Sequence, residues 1–143
     1  MTNGTVLNFA TSFCFIWTWA HASYRGCPQL AFGCLLCLLT SICYHGSEVI
    51  GLKLPFFRMV DMIVCQFCVV YFSCVCASFH WLYVLTITAV LYLLVMFYWL
   101  GMSSRDHDGH MWHSTLHFVG NTGISCLIEA CYQTVRCNVC THQ

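Results

Sequence analysis

The charged residues of this chain are spaced so that long stretches carry none, and this spacing is the strongest constraint on its fold. No charged side chain precedes Arg25. Uncharged stretches of 22, 43 and 20 residues follow, at 26–47, 62–104 and 109–128. A helix that crosses the hydrocarbon of a bilayer needs about 20 apolar residues. Each stretch is therefore long enough for one crossing, and the 43-residue stretch is long enough for two.

The composition supports the same class of protein. Only 7% of the 143 residues are charged and 59% are hydrophobic, whereas a soluble domain carries about 25% charged residues. So few charges cannot cover a water-soluble surface, and we expect an integral membrane protein with membrane lipid as its partner. The formal net charge of zero argues against nucleic acid as a partner.

We predict an all-α, multi-pass transmembrane helix bundle that forms one domain, 1–143. Its five spans are expected at 5–23, 28–46, 57–77, 80–101 and 110–133, with a tight hairpin near Ser78–His80. Helices are expected because each span must satisfy its own backbone hydrogen bonds inside the bilayer. Residues 5–23 lack the preceding positive charge of a signal peptide, so we predict a retained helix. An endomembrane or the plasma membrane is the expected location.

Thirteen cysteines suggest a disulfide framework by number, but their placement favours packing. Many lie inside apolar runs, where cysteine acts as a small hydrophobic residue. Cys137 and Cys140 form a single CxxC pair without a second pair, which argues against a zinc finger. Their position after the last span is typical of reversible palmitoylation.

Alternation of the span directions places several polar residues in one leaflet. The end of the second span and the starts of the third and fifth spans share the side that holds residue 1, here called the N-terminal side. The balance of lysine and arginine between the two sides does not fix the absolute orientation. The residues that this topology gathers are Ser41, His45, Asp61, His113 and His117.

The spacing within two helices favours a metal site. His113 and His117 are four residues apart, so they lie on one helix face about 6 Å apart along the axis. Ser41 and His45 have the same spacing. Three histidines with an open fourth position form a known catalytic zinc arrangement. We therefore predict a Zn²⁺ cofactor with His45, His113 and His117 as its ligands.

Each of these residues also has a simpler interpretation. A membrane histidine often only hydrogen-bonds a neighbouring helix, and a serine can bond back to its own helix backbone. Asp61 can pair with Arg58 one turn earlier. His110 is an alternative ligand in place of His113 or His117.

Other polar residues are expected at the opposite side of the membrane. His21 and His80 are predicted there, outside the cluster. Glu129 follows His117 by twelve residues, about 18 Å further along a helix. We predict that Glu129 is an interfacial acid on that side.

The order Ser41-x3-His45, then Asp61, then His113-x3-His117 resembles the pattern of the CREST superfamily of membrane proteins. That group includes alkaline ceramidases, progestin and adipoQ receptors, and myomaker-like proteins. The stretch "WHSTLHFVGN" is similar to the last-helix signature of some members. The family has seven spans and we predict five, so this chain would be a shortened version.

The resemblance implies a zinc-dependent hydrolase that acts on a lipid amide or ester inside the membrane. It implies that Asp61 holds and deprotonates a water molecule, and that Ser41 donates a hydrogen bond to that water or to the developing oxyanion. One alternative is a non-enzymatic receptor or membrane-remodelling protein with a structural zinc site. The other is a bis-histidine haem protein, which a visible absorption spectrum distinguishes.

Overall fold

The computed structural model describes residues 3–52, 54–76, 81–104 and 106–140, and the side chains of 3–52, 54–75, 81–104 and 109–134. These residues form six helices and no strand. The helices are α1 Asn3–Ser12, α2 Cys14–Tyr24, α3 Pro28–Val49, α4 Pro55–Cys76, α5 Trp81–Ser103 and α6 Asp106–Cys140. The predicted all-α bundle is confirmed.

The five predicted spans each correspond to a helical stretch, with bounds that differ by a few residues. α1 and α2 together occupy the first span, and α3 to α6 occupy the other four. α6 begins at Asp106, four residues before the predicted start, so the end of the polar segment between α5 and α6 is helical and not a loop. The hairpin predicted near Ser78–His80 lies outside the described residues.

A single residue, Phe13, separates α1 from α2. The hydroxyl groups of Thr11 and Ser12 both donate to the carbonyl oxygen of Asn8, at 3.0 and 2.9 Å. Hydroxyl groups bonded to the preceding turn bend helices. The Phe13 N–H donates to the carbonyl of Ala10 at 3.3 Å, three residues back, as in a 3₁₀ turn. The first span is therefore two short helices joined by a tight turn.

Glycines end the helices on either side of the bundle. Gly26 and Gly51 have φ angles of 70° and 82°, a left-handed conformation that glycine adopts without steric cost. The N–H of the residue after each glycine donates to the carbonyl five residues earlier, at 2.9 and 2.8 Å, which is typical of a Schellman cap. Pro28 and Pro55 then begin the next helices. These two corners reverse the chain before and after α3.

Packing places the first two helices between α3 and α6. α1 and α2 pack against both α3 and α6, while α4 packs mainly on α3 and α5 packs along α6. Apolar side chains such as Phe15, Leu30, Leu127 and Ile128 fill one part of the core. The buried polar residues are Asn8, Thr11, Ser12, Thr18, Ser41, His45, Ser47, Asp61, Ser114, His117 and Asn121.

Among the described residues, three helices have the length and apolar composition needed to cross a membrane: Pro28–Val49, Pro55–Val75 and Trp81–Ser103. On α4 and α5 many large apolar side chains face outward, and Phe67 is 77% and Val95 69% exposed. Continuous apolar surface of this kind is typical of contact with lipid or with another protein.

The cysteines of the apolar runs are packed only in part, since Cys43 and Cys74 are exposed. Cys34, Cys37 and Cys68 are buried among apolar side chains of α3 and α4. No disulfide joins the cysteines whose side chains are described. The side chains of Cys137 and Cys140 lie outside the described residues.

The contact between α5 and α6 depends on a glycine. A methyl group added at Gly123 would lie 2.6 Å from Cγ1 of Val90, and valine cannot rotate away because it is stiff at χ1. We expect Gly123→Ala to lower the free energy of unfolding by about 1–3 kcal/mol, the usual cost of overpacking. The measurement is unfolding in mixed micelles, followed by circular dichroism.

Gly120→Ala is the matched control. Its added methyl group would lie 3.9 Å from Leu94, an ordinary contact, and alanine favours a helix over glycine by about 1 kcal/mol. The control should therefore be neutral or slightly stabilising. Equal destabilisation of the two variants would contradict the close approach of α5 and α6.

Candidate metal centre

Three histidine side chains from two helices lie together inside the bundle. His45 of α3 and His113 and His117 of α6 each offer one ring nitrogen, and these nitrogens all lie within 4.8 Å of one another. His45 is 1% exposed and His117 is 8% exposed, whereas His113 is half-buried. The fold thus brings together the three residues that the sequence predicts as ligands.

The distances within the cluster suit a single small cation. Nε2 of His113 lies 3.1 Å from Nε2 of His45. The three ring centroids are 4.9, 5.4 and 5.1 Å apart. Two nitrogens that each bind a tetrahedral zinc at 2.0–2.1 Å lie about 3.3 Å apart. The closest pair of nitrogens therefore already has the separation that one shared ion requires.

Helix geometry explains why the histidines converge. His113 and His117 share one face of α6 because they are four residues apart. His45 lies in the last turns of α3. α3 and α6 both pack against α1, and the histidine cluster forms where the ends of these helices meet.

Side chains of α1, which the sequence reasoning did not single out, surround the cluster. Oγ1 of Thr11 lies 2.9 Å from Nδ1 of His117. Asn8 accepts a hydrogen bond from the Ser114 hydroxyl at 2.7 Å through its Oδ1. The i, i+3, i+4 spacing of Asn8, Thr11 and Ser12 within an apolar stretch is the signal that marks this face of α1.

Glu48 is a second residue missed by the sequence reasoning. Its Oε2 lies 3.3 Å from Nδ1 of His45, one turn earlier on α3. A carboxylate bonded to the outer nitrogen of a histidine is a common partner of metal-binding histidines. The i, i+3 spacing of His45 and Glu48 is the sequence signal for this contact.

The two residues predicted as catalytic, Asp61 and Ser41, have hydrogen-bond partners outside the histidine cluster. Oδ1 of Asp61 accepts hydrogen bonds from Thr40 at 2.9 Å and from the Cys65 thiol at 3.9 Å. Asp61 is not part of the group of close ligand atoms. Thr40 precedes His45 by five residues, about 7.5 Å along the axis of α3. Asp61 therefore lies deeper in the bundle than His45.

Ser41 lies on the inner side of the cluster. Its Oγ is 3.0 Å from Oγ of Ser12 on α1, and the residue is 1% exposed. The alternative interpretation of a bond to its own helix backbone does not describe this contact, which links α3 to α1. Asp61 likewise bonds to α3, and an ion pair with Arg58 is absent from the described residues.

His110, the alternative ligand, lies beside the cluster and is not part of it. Its Nδ1 is 3.0 Å from Nδ2 of Asn8. The group of close ligand atoms contains His45, His113 and His117 without it. In this structure, therefore, His110 does not replace His113 or His117.

The opposite end of the bundle holds a separate polar network. Oε1 of Glu129 lies 2.7 Å from both His21 and Arg25, and the Arg25 guanidinium lies 4.4 Å from the ring centroid of Tyr132. His21 and Glu129 are thus outside the histidine cluster, as the sequence predicts. His80 lies outside the described residues.

Asn121 fixes the helix turn below His117. Its Nδ2 donates to the carbonyl oxygen of His117 at 2.7 Å, and its Oδ1 accepts from the hydroxyl of Thr18 at 2.7 Å. Asn121 and Thr18 are both buried. This pair ties α6 to α2 one turn away from the cluster.

Three imidazoles with converging nitrogens fit a transition-metal ion. Imidazole is a suitable ligand for zinc, copper, iron and nickel, and three histidines leave a fourth tetrahedral position for another molecule. No family model, curated protein or solved structure matches the chain. The functional conclusion therefore rests on the residues and geometry of this cluster.

We expect purified protein to contain one divalent transition-metal ion per chain. His45→Ala and His117→Ala should each abolish this content, because two imidazoles hold such an ion far more weakly than three. Mass spectrometry of metals in protein purified without added chelator measures it. His110→Ala is the matched control and should retain the ion, since His110 bonds to Asn8 outside the group. Equal metal content in all variants would exclude this centre.

Proposed function

We propose that this protein is a multi-pass membrane hydrolase that uses zinc to cleave a lipid amide or ester, and that it is a relative of the CREST superfamily. The observation that carries the proposal is the meeting of His45, His113 and His117 within 4.8 Å. These are the three histidines of the ordered pattern in the sequence, and they come from helices far apart in the chain.

Zinc is the proposed ion because the group consists of three neutral nitrogen donors. Three histidines and one open position are the ligand set of a known class of catalytic zinc sites. Zinc held there supplies Lewis acidity toward a carbonyl oxygen or a water molecule. His45 and His117 are buried, so the half-buried His113 marks the side from which a substrate approaches.

Asp61 is the proposed general base. Both hydrogen bonds to its carboxylate reach Oδ1, which leaves Oδ2 to accept a proton. Its buried position on α4 places a carboxylate next to the helix that carries His45. Ser41 is the proposed hydrogen-bond donor to the oxygen that develops negative charge, one helix turn below His45.

The apolar outer faces of α4 and α5 favour a lipid as the substrate. Their apolar side chains are exposed in the isolated chain, and both helices are long and apolar enough to cross a membrane. We propose that all five helical stretches cross the bilayer. A lipid chain then reaches the centre sideways, without leaving the hydrocarbon.

A structural zinc site in a non-enzymatic membrane protein is the second candidate. It is favoured by the partners of the two proposed catalytic residues, since Asp61 bonds to Thr40 and Ser41 bonds to Ser12. In this case the ion only ties α3 to α6. A haem between His45 and His113 is disfavoured, because a 3.1 Å gap between their Nε2 atoms leaves no room for a porphyrin.

Asp61→Asn distinguishes the two candidates. In a hydrolase, turnover of a fluorescent ceramide in mixed micelles should fall by at least about 100-fold, because a general base contributes that much or more. Zinc content and helix content should be unchanged, since Asp61 is not a ligand. The assay measures release of the fluorescent fatty acid.

Glu129→Gln makes the same chemical change at the opposite end of the bundle and should leave turnover within about twofold of the wild type. If wild-type protein cleaves no lipid amide or ester, and removal of zinc unfolds it, the structural role replaces the enzymatic one. Unchanged turnover in Asp61→Asn would remove Asp61 from the proposed mechanism.

A further inference from the structure

Two histidines of the cluster have a hydrogen-bond partner on their Nδ1 atom. Nδ1 of His117 lies 2.9 Å from Oγ1 of Thr11 on α1. Nδ1 of His45 lies 3.3 Å from Oε2 of Glu48 on α3. The identity of each partner determines which nitrogen of each imidazole carries the proton.

The Thr11 hydroxyl has one hydrogen to donate, and its direction is fixed. Oγ1 of Thr11 is 3.0 Å from the carbonyl oxygen of Asn8, which can only accept. Thr11 therefore donates to Asn8, and the same oxygen must accept from His117. This arrangement requires a proton on Nδ1 of His117 and leaves a lone pair on its Nε2.

The partner of Nδ1 of His45 is a carboxylate and not a hydroxyl group. An ionised carboxylate has no hydrogen to donate, so Glu48 accepts from the Nδ1–H of His45. Nε2 of His45 then carries a lone pair and faces Nε2 of His113 at 3.1 Å. Two lone pairs repel at this distance, so in the metal-free protein His113 donates its Nε2–H to His45.

We infer that Thr11 and Glu48 are positioning residues that lock His117 and His45 as Nδ1–H tautomers, with each Nε2 lone pair ready for a metal ion. This inference rests on the proposed zinc site and concerns how the chain prepares it. Thr11 acts from a different helix than the residue it orients. α1 therefore contributes to the metal centre through Thr11.

The first test needs no metal. In metal-free protein with ¹⁵N-labelled histidine, long-range nitrogen–proton NMR spectra report the tautomer of each imidazole. We expect His117 and His45 both to be Nδ1–H tautomers, assigned by the loss of each signal in the corresponding alanine variant. A His117 ring protonated on Nε2 instead would overturn the inference, whether or not zinc binds.

The second test measures zinc affinity by competition with a chromophoric chelator. Thr11→Val keeps the shape of the side chain but removes the acceptor, and we expect zinc affinity to fall by about 10- to 100-fold, the usual effect of losing such a partner. The His117 tautomer should become mixed. Thr11→Ser restores the hydroxyl and should recover most of the affinity, even if the valine variant folds poorly.

Thr122→Val is the matched control. Thr122 lies on the same helix as His117 and is exposed. Within the described part of the chain it bonds only to the Phe118 carbonyl of its own helix, so zinc affinity should not change. Glu48→Leu should weaken zinc binding, whereas Glu48→Gln, which retains an acceptor oxygen, should do so less. Thr11→Val with wild-type affinity would overturn the inference. Wild-type protein that takes up no zinc overturns the proposed function, and the NMR spectra alone then decide the tautomers.

Discussion

A hydroxyl or amide group buried among apolar helices must have a hydrogen-bond partner, because leaving it unpaired costs several times more than the bond itself contributes. In this bundle, side chains of α1 are the hydrogen-bond partners of buried polar groups on two other helices. Asn8 and Thr11 bond to α6, and Ser12 bonds to α3. The positions of the histidines on α3 and α6 depend on this shared neighbour.

Different kinds of groups satisfy the buried polar side chains at the two ends of the bundle. Near the histidine cluster, neutral hydroxyl, amide and imidazole groups bond to one another across α1, α3 and α6. At the opposite end Glu129 pairs with His21 and Arg25, and an apolar core that includes Leu127 and Ile128 separates the two. The cluster end also has a carboxylate, that of Glu48, which bonds to the outer nitrogen of His45, whereas the carboxylate at the opposite end pairs with a guanidinium.

Much of the fold and part of the site follow from the sequence. The spacing of charges predicts the helical stretches, and the alternation of their directions predicts that His45 lies at the same end as His113 and His117. Alternation fixes the end of the bundle at which a residue lies, but neither its exact depth nor the rotation of its helix. For this reason Asp61 is at the predicted end, yet bonds to Thr40 and not to the cluster.

Local competition between hydrogen bonds accounts for the features that sequence patterns did not predict. The break at Phe13 follows two hydroxyl groups that bond to one carbonyl of the preceding turn, which hydropathy does not register. The early start of α6 at Asp106 lies in a segment of aspartate, histidine and glycine whose composition is typical of a loop. Glu48 was not predicted as a partner of His45, because its charge was interpreted only as the end of an uncharged stretch.

The division of the first span into α1 and α2 has a thermodynamic consequence. α1 has ten residues, and a helix of that length is marginal by itself. Because Thr11 contacts His117 directly, an ion that binds the cluster also stabilises the folded α1, and an ordered α1 favours retention of the ion by the same free energy. Ion binding at the cluster and folding of α1 are therefore linked, so each can be measured through the other.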